Sequence, residues 1–201
     1  MIDRDKYYYD YYATSRDQLN RAIKHLENFD MNSEVPCLFY AALELRFGIE
    51  ARLFEYIDAT CNSLQINSSE IKEYVATKLL KRLISADEYA DKKATLKITS
   101  EETHSPTILE YTPITKELAK MHGQLGEMLH YKFFRNNPNW ILKVEISGKE
   151  GKTLMYYRKF LNEVVDELKE ATRGSLLSHP KFTKIVEKII DEEADEREML
   201  L

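Results

Sequence analysis

Cysteine is scarce in this chain: there are two, Cys37 and Cys61, and no Cys-x-x-Cys. That excludes a disulfide-stapled scaffold and a thiolate zinc site, and it points to a reduced, cytoplasmic compartment. Glycine and proline are scarce too, six and five among 201 residues, which leaves little material for disorder or for a repetitive all-β chain. No apolar run approaches the roughly 20 residues that span a bilayer, so no membrane partner is expected. The opening "MIDRDKYYYDYY" has no basic-then-apolar signal profile. Uncompensated positive charge is missing as well. The last fifteen residues, "EKIIDEEADEREMLL", hold seven acids and two bases, a local charge of −5 that equals the formal charge of the whole chain. Residues 1–186 are therefore neutral, which argues against a strong non-specific grip on nucleic acid. The acidic C-terminus leaves a basic protein as a candidate partner. A phosphate-cradling glycine loop, a G-x-S-x-G elbow and zinc-ligand spacing are all absent.

What the sequence does contain is helical periodicity. Residues 8–28 carry Leu19, Ile23 and Leu26 on one side of a first helix. Pro36 suits the start of a second helix over 36–60, the most apolar stretch of the chain. "NSSE" at Asn67–Glu70 resembles a capping box for a helix over 69–90, with Ile71, Val75, Leu79 and Leu83 four residues apart. "ATLKITS" (94–100) and "TILEYTPI" (107–114) alternate apolar with polar residues and predict a β-hairpin. Helices over 115–135 and 154–172 follow. Between them "WILKVEIS" (140–147) and a return through "TLMYY" predict a second β insertion over 140–157. Phe182, Ile185, Val186, Ile189 and Ile190 give one apolar stripe to an acidic C-terminal helix over 179–199. The expected fold is mainly α. It is a helical bundle in a single domain over 1–201, with a core of about 8–92, 115–135 and 154–172. Into that core is set a small β-hairpin or β-sheet, from insertions over 94–114 and 140–157.

On a helical wheel the second helix places Glu44, Gly48, Arg52 and Glu55 towards solvent and Phe39, Leu43, Ile49, Leu53 and Ile57 on the apolar face. Arg46 and Glu50 fall within that apolar face, four residues apart, so their side chains can meet. Burying such a pair costs several kcal/mol per charge unless other helices supply partners, so partners should converge on it. The wheel of 115–135 centres Leu118, Leu125, Leu129 and Phe133. It places His122 among them and His130 at the border of a small-residue strip of Ala119, Gly123 and Gly126. Each glycine costs a helix about 1 kcal/mol against alanine, a cost that close approach of a neighbouring helix would explain. The natural neighbour is the helix with Arg46 and Glu50, and the four polar residues Arg46, Glu50, His122 and His130 form the expected buried or binding cluster. "EMLH" (Glu127, His130) and "EETH" (Glu101, His104) have the Glu-x-x-His spacing of di-iron bundles. Glu127 lies on the polar side of its helix and Glu101–His104 in a polar turn, so no metal site and no cofactor are assigned. A metal-binding bundle stays a further alternative.

A second helix reading "LELRFGIEARLFEYI" (43–57) and a later one ending in "GEMLH" (126–130) together resemble the HEPN superfamily. These are helical domains of prokaryotic toxin–antitoxin and antiviral defence systems, and the likeness covers roughly residues 10–135. The resemblance implies a homodimer. It also implies metal-independent RNA cleavage by an Arg-x(4–6)-His motif, in which His acts as general acid–base and Arg stabilises charge on the phosphate. Five residues before His130, however, stands Leu125 rather than arginine. The literal match is "RGSLLSH", Arg173 to His179. Two functions are thus expected from the resemblance. One is a non-catalytic interaction or regulatory protein that binds RNA or a basic protein; the other is a ribonuclease using Arg173 and His179.

Overall fold

The structure, a computed structural model, describes residues 13–64, 75–99, 106–130, 154–183 and 196–200. Helix α1 is Ser15–Asn32. Thr14 starts it, its side chain accepting from the Asp17 N–H, and Ser33 ends it in the left-handed region at φ 55°, with its own N–H on the Phe29 carbonyl. The helix therefore runs through the predicted turn "FDMN" and starts at Ser15, after the extended Thr14, where the prediction had residues 13 and 14 already helical; residues 8–12 lie outside the described residues. Helix α2, Val35–Leu64, is the axis of the bundle, packing on α1, on α3 (Ala76–Ala86), on α4 (Lys116–Leu129) and on α5 (Leu154–Arg173).

Four neighbours explain why the wheel of α2 misleads. Gly48 and Arg52, predicted wet, are buried, whereas Leu43, predicted to be core, is 37% exposed. A helix wrapped on most sides has no single dry stripe, and charge alone does not mark its wet one. The core common to the five helices is built from residues such as Leu26, Leu45, Ile49, Leu53, Leu79, Leu118, Leu125, Leu161 and Leu168.

The hairpin forms as predicted, β1 (Ala94–Thr99) against β2 (Pro106–Tyr111), antiparallel with Ala94 opposite Tyr111. Its bundle end is anchored by Ala94 and Tyr111, both buried in the bundle core, while Ile108 towards the turn is 60% exposed. The helix predicted over 69–90 is α3, which starts after the extended Val75 and ends at Ala86, and the helix predicted over 115–135 is α4, which ends at Leu129 with His130 extended. Two further elements need correction. Residues 154–157 open α5 rather than closing a second β insertion, whose other residues, 140–153, lie outside the described part. Of the predicted acidic helix over 179–199, the described residues hold the turn α6 (Pro180–Thr183) at its start, and residues 184–195 lie outside the described part. At its end Glu196–Leu200 is strand β3, antiparallel to β1 from Thr95↔Leu200 to Thr99↔Glu196. The outer edge of β1 offers a row of backbone donors and acceptors, and pairing with them overrides the helical bias of this segment. The sheet order is β2-β1-β3. Ile185, Val186, Ile189 and Ile190 lie outside the described residues, as do Phe133, Glu101 and His104.

Candidate functional site

Three of the four residues of the predicted polar cluster come together between α2 and α4. Arg46 Nε donates to Glu50 Oε1 at 3.2 Å, one turn along α2. His122 Nε2, from α4, lies 2.6 Å from the same oxygen. The side chains of Arg46 and Glu50 are 27% and 18% exposed, and His122 is 4% exposed. Burial opposes ionisation of Glu50, but the hydrogen bonds and charges of His122 and Arg46 outweigh it and hold its pKa below the ordinary carboxylate value. His130 does not join them: it is the exposed C-cap residue of α4. The two glycines of α4 also part company. A Cβ on Gly126 would lie 2.6 Å from Arg46 Nη1, so here the close approach is that of a guanidinium, whereas Gly123 faces open space. The glycine at a true helix crossing is Gly48, whose Cβ would lie 2.8 Å from Leu168 Cδ2 and 3.3 Å from Gln18 Cβ.

Arg173 and His179 are drawn to different places. Arg173 lies on the surface and holds Glu110 at 2.8 Å and Glu170 at 3.1 Å. His179 is 1% exposed, stacked on Tyr89 at 5.1 Å with Tyr111 edge-on at 5.5 Å, and its Nδ1 accepts the Lys181 N–H at 3.2 Å. Its pKa is lowered, first by burial and then by Lys181 and Lys92. Glu127 is exposed on the polar side of α4, and among the described residues no three His, Cys, Asp or Glu side chains are grouped to hold a metal.

The most heavily bonded polar group was not singled out from the sequence. Arg52 is 3% exposed on α2, beneath the C-terminal end of α5. Its Nε is shared between Tyr56 Oη at 2.9 Å and the Ala171 carbonyl at 3.1 Å. Nη1 reaches Glu55 at 3.0 Å and Nη2 the Gly174 carbonyl at 3.1 Å. Glu55 in turn accepts from the N–H and hydroxyl of Ser15 at 2.9 and 3.0 Å. From α1, Arg16 donates twice to the Thr172 carbonyl, at 2.9 and 2.7 Å. Thr112 Oγ1 closes the set on Ala171 O at 3.0 Å. The last carbonyls of α5 have no partners within the helix and form the negative end of its dipole, and two guanidiniums, a threonine and a tyrosine answer them. Tyr56 stays a neutral hydroxyl: burial pushes its pKa up to about 12 against the opposing charge of Arg52, and it also bonds the Thr112 carbonyl. This assembly is a cap that locks α1, α2, α5 and the hairpin together. The available signal was an Arg-x-x-Glu-Tyr run, Arg52 to Tyr56, inside the most apolar helix.

Beside the cap, α1 and α5 enclose an open groove of about 460 Å³. Its walls carry both signs, Arg16, Lys169 and Arg173 against Asp166 and Glu170. Such a wall does not favour a polyanion.

The buried groups fix how stability responds to acid. His179 is held neutral, so its folded pKa lies below its unfolded one. Its contribution is complete above the unfolded value of about 6.5 and declines as the pH falls through and below it. Glu50 adds a second loss at lower pH, as its depressed folded pKa is passed. Asp87 works the other way, because burial raises its pKa. Urea midpoints taken between pH 7.5 and 5 should therefore fall, and His179→Phe, which keeps the stack on Tyr89, should flatten that slope. An unchanged slope in the variant would mean that other groups carry it.

No family model, no curated protein and no solved structure matches this chain.

Proposed function

We propose that the chain is a HEPN-like interaction or regulatory protein of a bacterial defence or toxin–antitoxin system, working through contact with another macromolecule rather than through catalysis. The observation that carries this reading is the divergence of the Arg-x(5)-His pair. A general acid–base must reach the proton it moves, and His179 is 1% exposed between two tyrosines. Arg173 is already engaged by Glu110 and Glu170. His122, which the sequence placed in the polar cluster, is 4% exposed, and both it and Arg46 are committed to Glu50. The neutral body of the chain agrees with a protein partner better than with a nucleic-acid backbone.

The alternative is a metal-independent ribonuclease using Arg173 and His179. A mixed pool of labelled RNAs incubated with the protein in EDTA separates the two. No cleavage by the wild type is the expected result. Cleavage abolished by Arg173→Ala, with the variant still folded by circular dichroism, would establish the nuclease and sink the interaction reading.

A further inference from the structure

The two edges of the hairpin are treated differently. The β2 side is closed. Pro106 opens that strand with no N–H to give, and at the bundle end the Glu110 N–H donates to Ser175 Oγ at 3.4 Å while Glu110 O accepts the Leu176 N–H at 2.9 Å. The β1 side instead takes a strand. β3 lies along it in an unbroken antiparallel register, from Thr95↔Leu200 to Thr99↔Glu196.

β3 is a poor strand on a good edge. β1 supplies Thr95, Ile98 and Thr99, which suit a pleated sheet. Glu196–Leu200 reads Glu-Arg-Glu-Met-Leu, without a β-branched or aromatic residue and built from good helix formers. What seats it is the backbone ladder together with nearness. Connection to α6 through residues 184–195 holds β3 beside its edge at an effective concentration on the order of millimolar. A segment that pairs with β1 more strongly than this tail takes its place.

The edge also specifies that segment. Leu96 is 2% exposed yet lies outside the bundle core, and the register sets it between Leu109 of β2 and Met199 of β3. Half-buried Lys97 belongs to the other face of the sheet, in register between Ile108 and Glu198. Cross-strand pairing therefore asks for an apolar residue opposite Leu96 and an acid opposite Lys97.

We propose that the outer edge of β1 is a docking site for an extended segment of another protein, which adds antiparallel with an apolar residue opposite Leu96 and an acidic one opposite Lys97, and that β3 fills the site until such a segment displaces it. This rests on the reading of the chain as an interaction protein and names the chemistry of its partner.

The test uses the full chain and a fluorescein-labelled peptide of residues 194–201 in which Arg197→Val and Met199→Ile raise the β propensity. Fluorescence anisotropy reads its binding to the wild type and to a Glu198→Pro/Met199→Pro variant. Neighbouring residues of a strand turn their N–H groups to opposite edges, so one of the two prolines removes a bond to β1. The proline variant should bind the peptide at least about tenfold more tightly than the wild type, whose own tail competes. Lys97→Glu in that variant should weaken binding about fivefold, and a peptide that also carries Glu198→Lys should recover it. Absence of binding by the proline variant overturns the proposal, as does equal binding by the wild type or by a scrambled peptide. Unlabelled wild type that displaces the peptide would give the edge to a second copy and overturn the partner named here. Amide exchange provides a measurement on the wild type itself. The β1 amides facing β3 should be protected there and exchange at least about tenfold faster in the proline variant, with those of α2 unchanged. Unprotected β1 amides in the wild type would overturn the seat of β3. RNA cleavage is read separately, so a failure of peptide binding sinks this proposal alone and cleavage sinks the non-catalytic reading alone.

Discussion

Replacing Arg52 with methionine should lower the stability of the fold by about 3–5 kcal/mol, the scale of removing one partner from a buried charged network. Methionine fills much of the same volume, so little of the loss will come from a cavity. What disappears is the donor set. The Ala171 and Gly174 carbonyls lose their guanidinium partners, and Glu55 keeps only Ser15. A buried acceptor left without its donor costs about 1–3 kcal/mol; that falls on the Gly174 carbonyl, while Ala171 O keeps Thr112 Oγ1 and Tyr56 Oη. Arg52→Lys should recover only part of the loss, because an ammonium cannot imitate a planar fork aimed at four separate acceptors. The check is a urea titration showing a lower midpoint at unchanged slope, with faster amide exchange around residues 171–176. A midpoint within error of the wild type would mean that Arg16, Thr112 and Tyr56 cap α5 without Arg52.

That network also shows where sequence reading stops. Helix and strand positions were legible wherever one face met the core and the other met water. The hairpin at Ala94–Tyr111 was marked by alternation of apolar and polar residues, and α4 sorted Glu117, Lys120, Gln124 and Glu127 to the outside, as the structure does. α2 was not legible in that way. Its long axis is touched by four helices, and its charged residues belong to two different interfaces, Arg46 and Glu50 to α4, Arg52 and Glu55 to α5 and α1. A wheel ranks residues by polarity and cannot tell a charge that faces water from one that faces the end of another helix. The same limit applies to Glu196–Leu200, where pairing depends on an open edge about 100 residues earlier in the chain.

The candidate site was legible to the degree that it is local. Arg46 and Glu50 one turn apart can be read from a helix, and His122 beside small residues marks a helix that receives something. That Glu50 and His122 share a 2.6 Å contact is a tertiary fact with 72 residues between them. The Arg173–His179 spacing, by contrast, satisfies a motif in one dimension. Chain direction changes at Gly174, and the two side chains leave in different directions, one to surface carboxylates and the other to a tyrosine pair.

Among the described glycines, Gly174→Ala should be the costliest substitution, at about 3 kcal/mol, because the space it needs belongs to backbone. A Cβ there would lie 2.6 Å from Thr112 Oγ1, 2.7 Å from the Glu110 carbonyl and 2.8 Å from the Thr112 nitrogen. Those atoms sit on β2 and just beyond it, and the strand is held in turn by the Leu176 N–H on Glu110 O at 2.9 Å and by Gly174 N–H on Thr112 Oγ1 at 2.9 Å. Relieving the clash means lifting the hairpin from the end of α5, which also pulls the Ala171 carbonyl from Thr112. Gly126→Ala is the contrast. Its new methyl meets only the tip of Arg46, which can swing aside, and alanine returns about 1 kcal/mol of helix propensity. The net change there should stay within about 1 kcal/mol of zero. Gly48→Ala should fall between the two, since Leu168 can change rotamer but Gln18 Cβ, fixed to the α1 backbone, cannot. Melting temperatures of the three variants test this order directly. If Gly126→Ala lost as much as Gly174→Ala, Arg46 would have to be clamped as firmly as a strand, and the α2–α4 cluster rather than the α5 cap would be the rigid centre of the bundle.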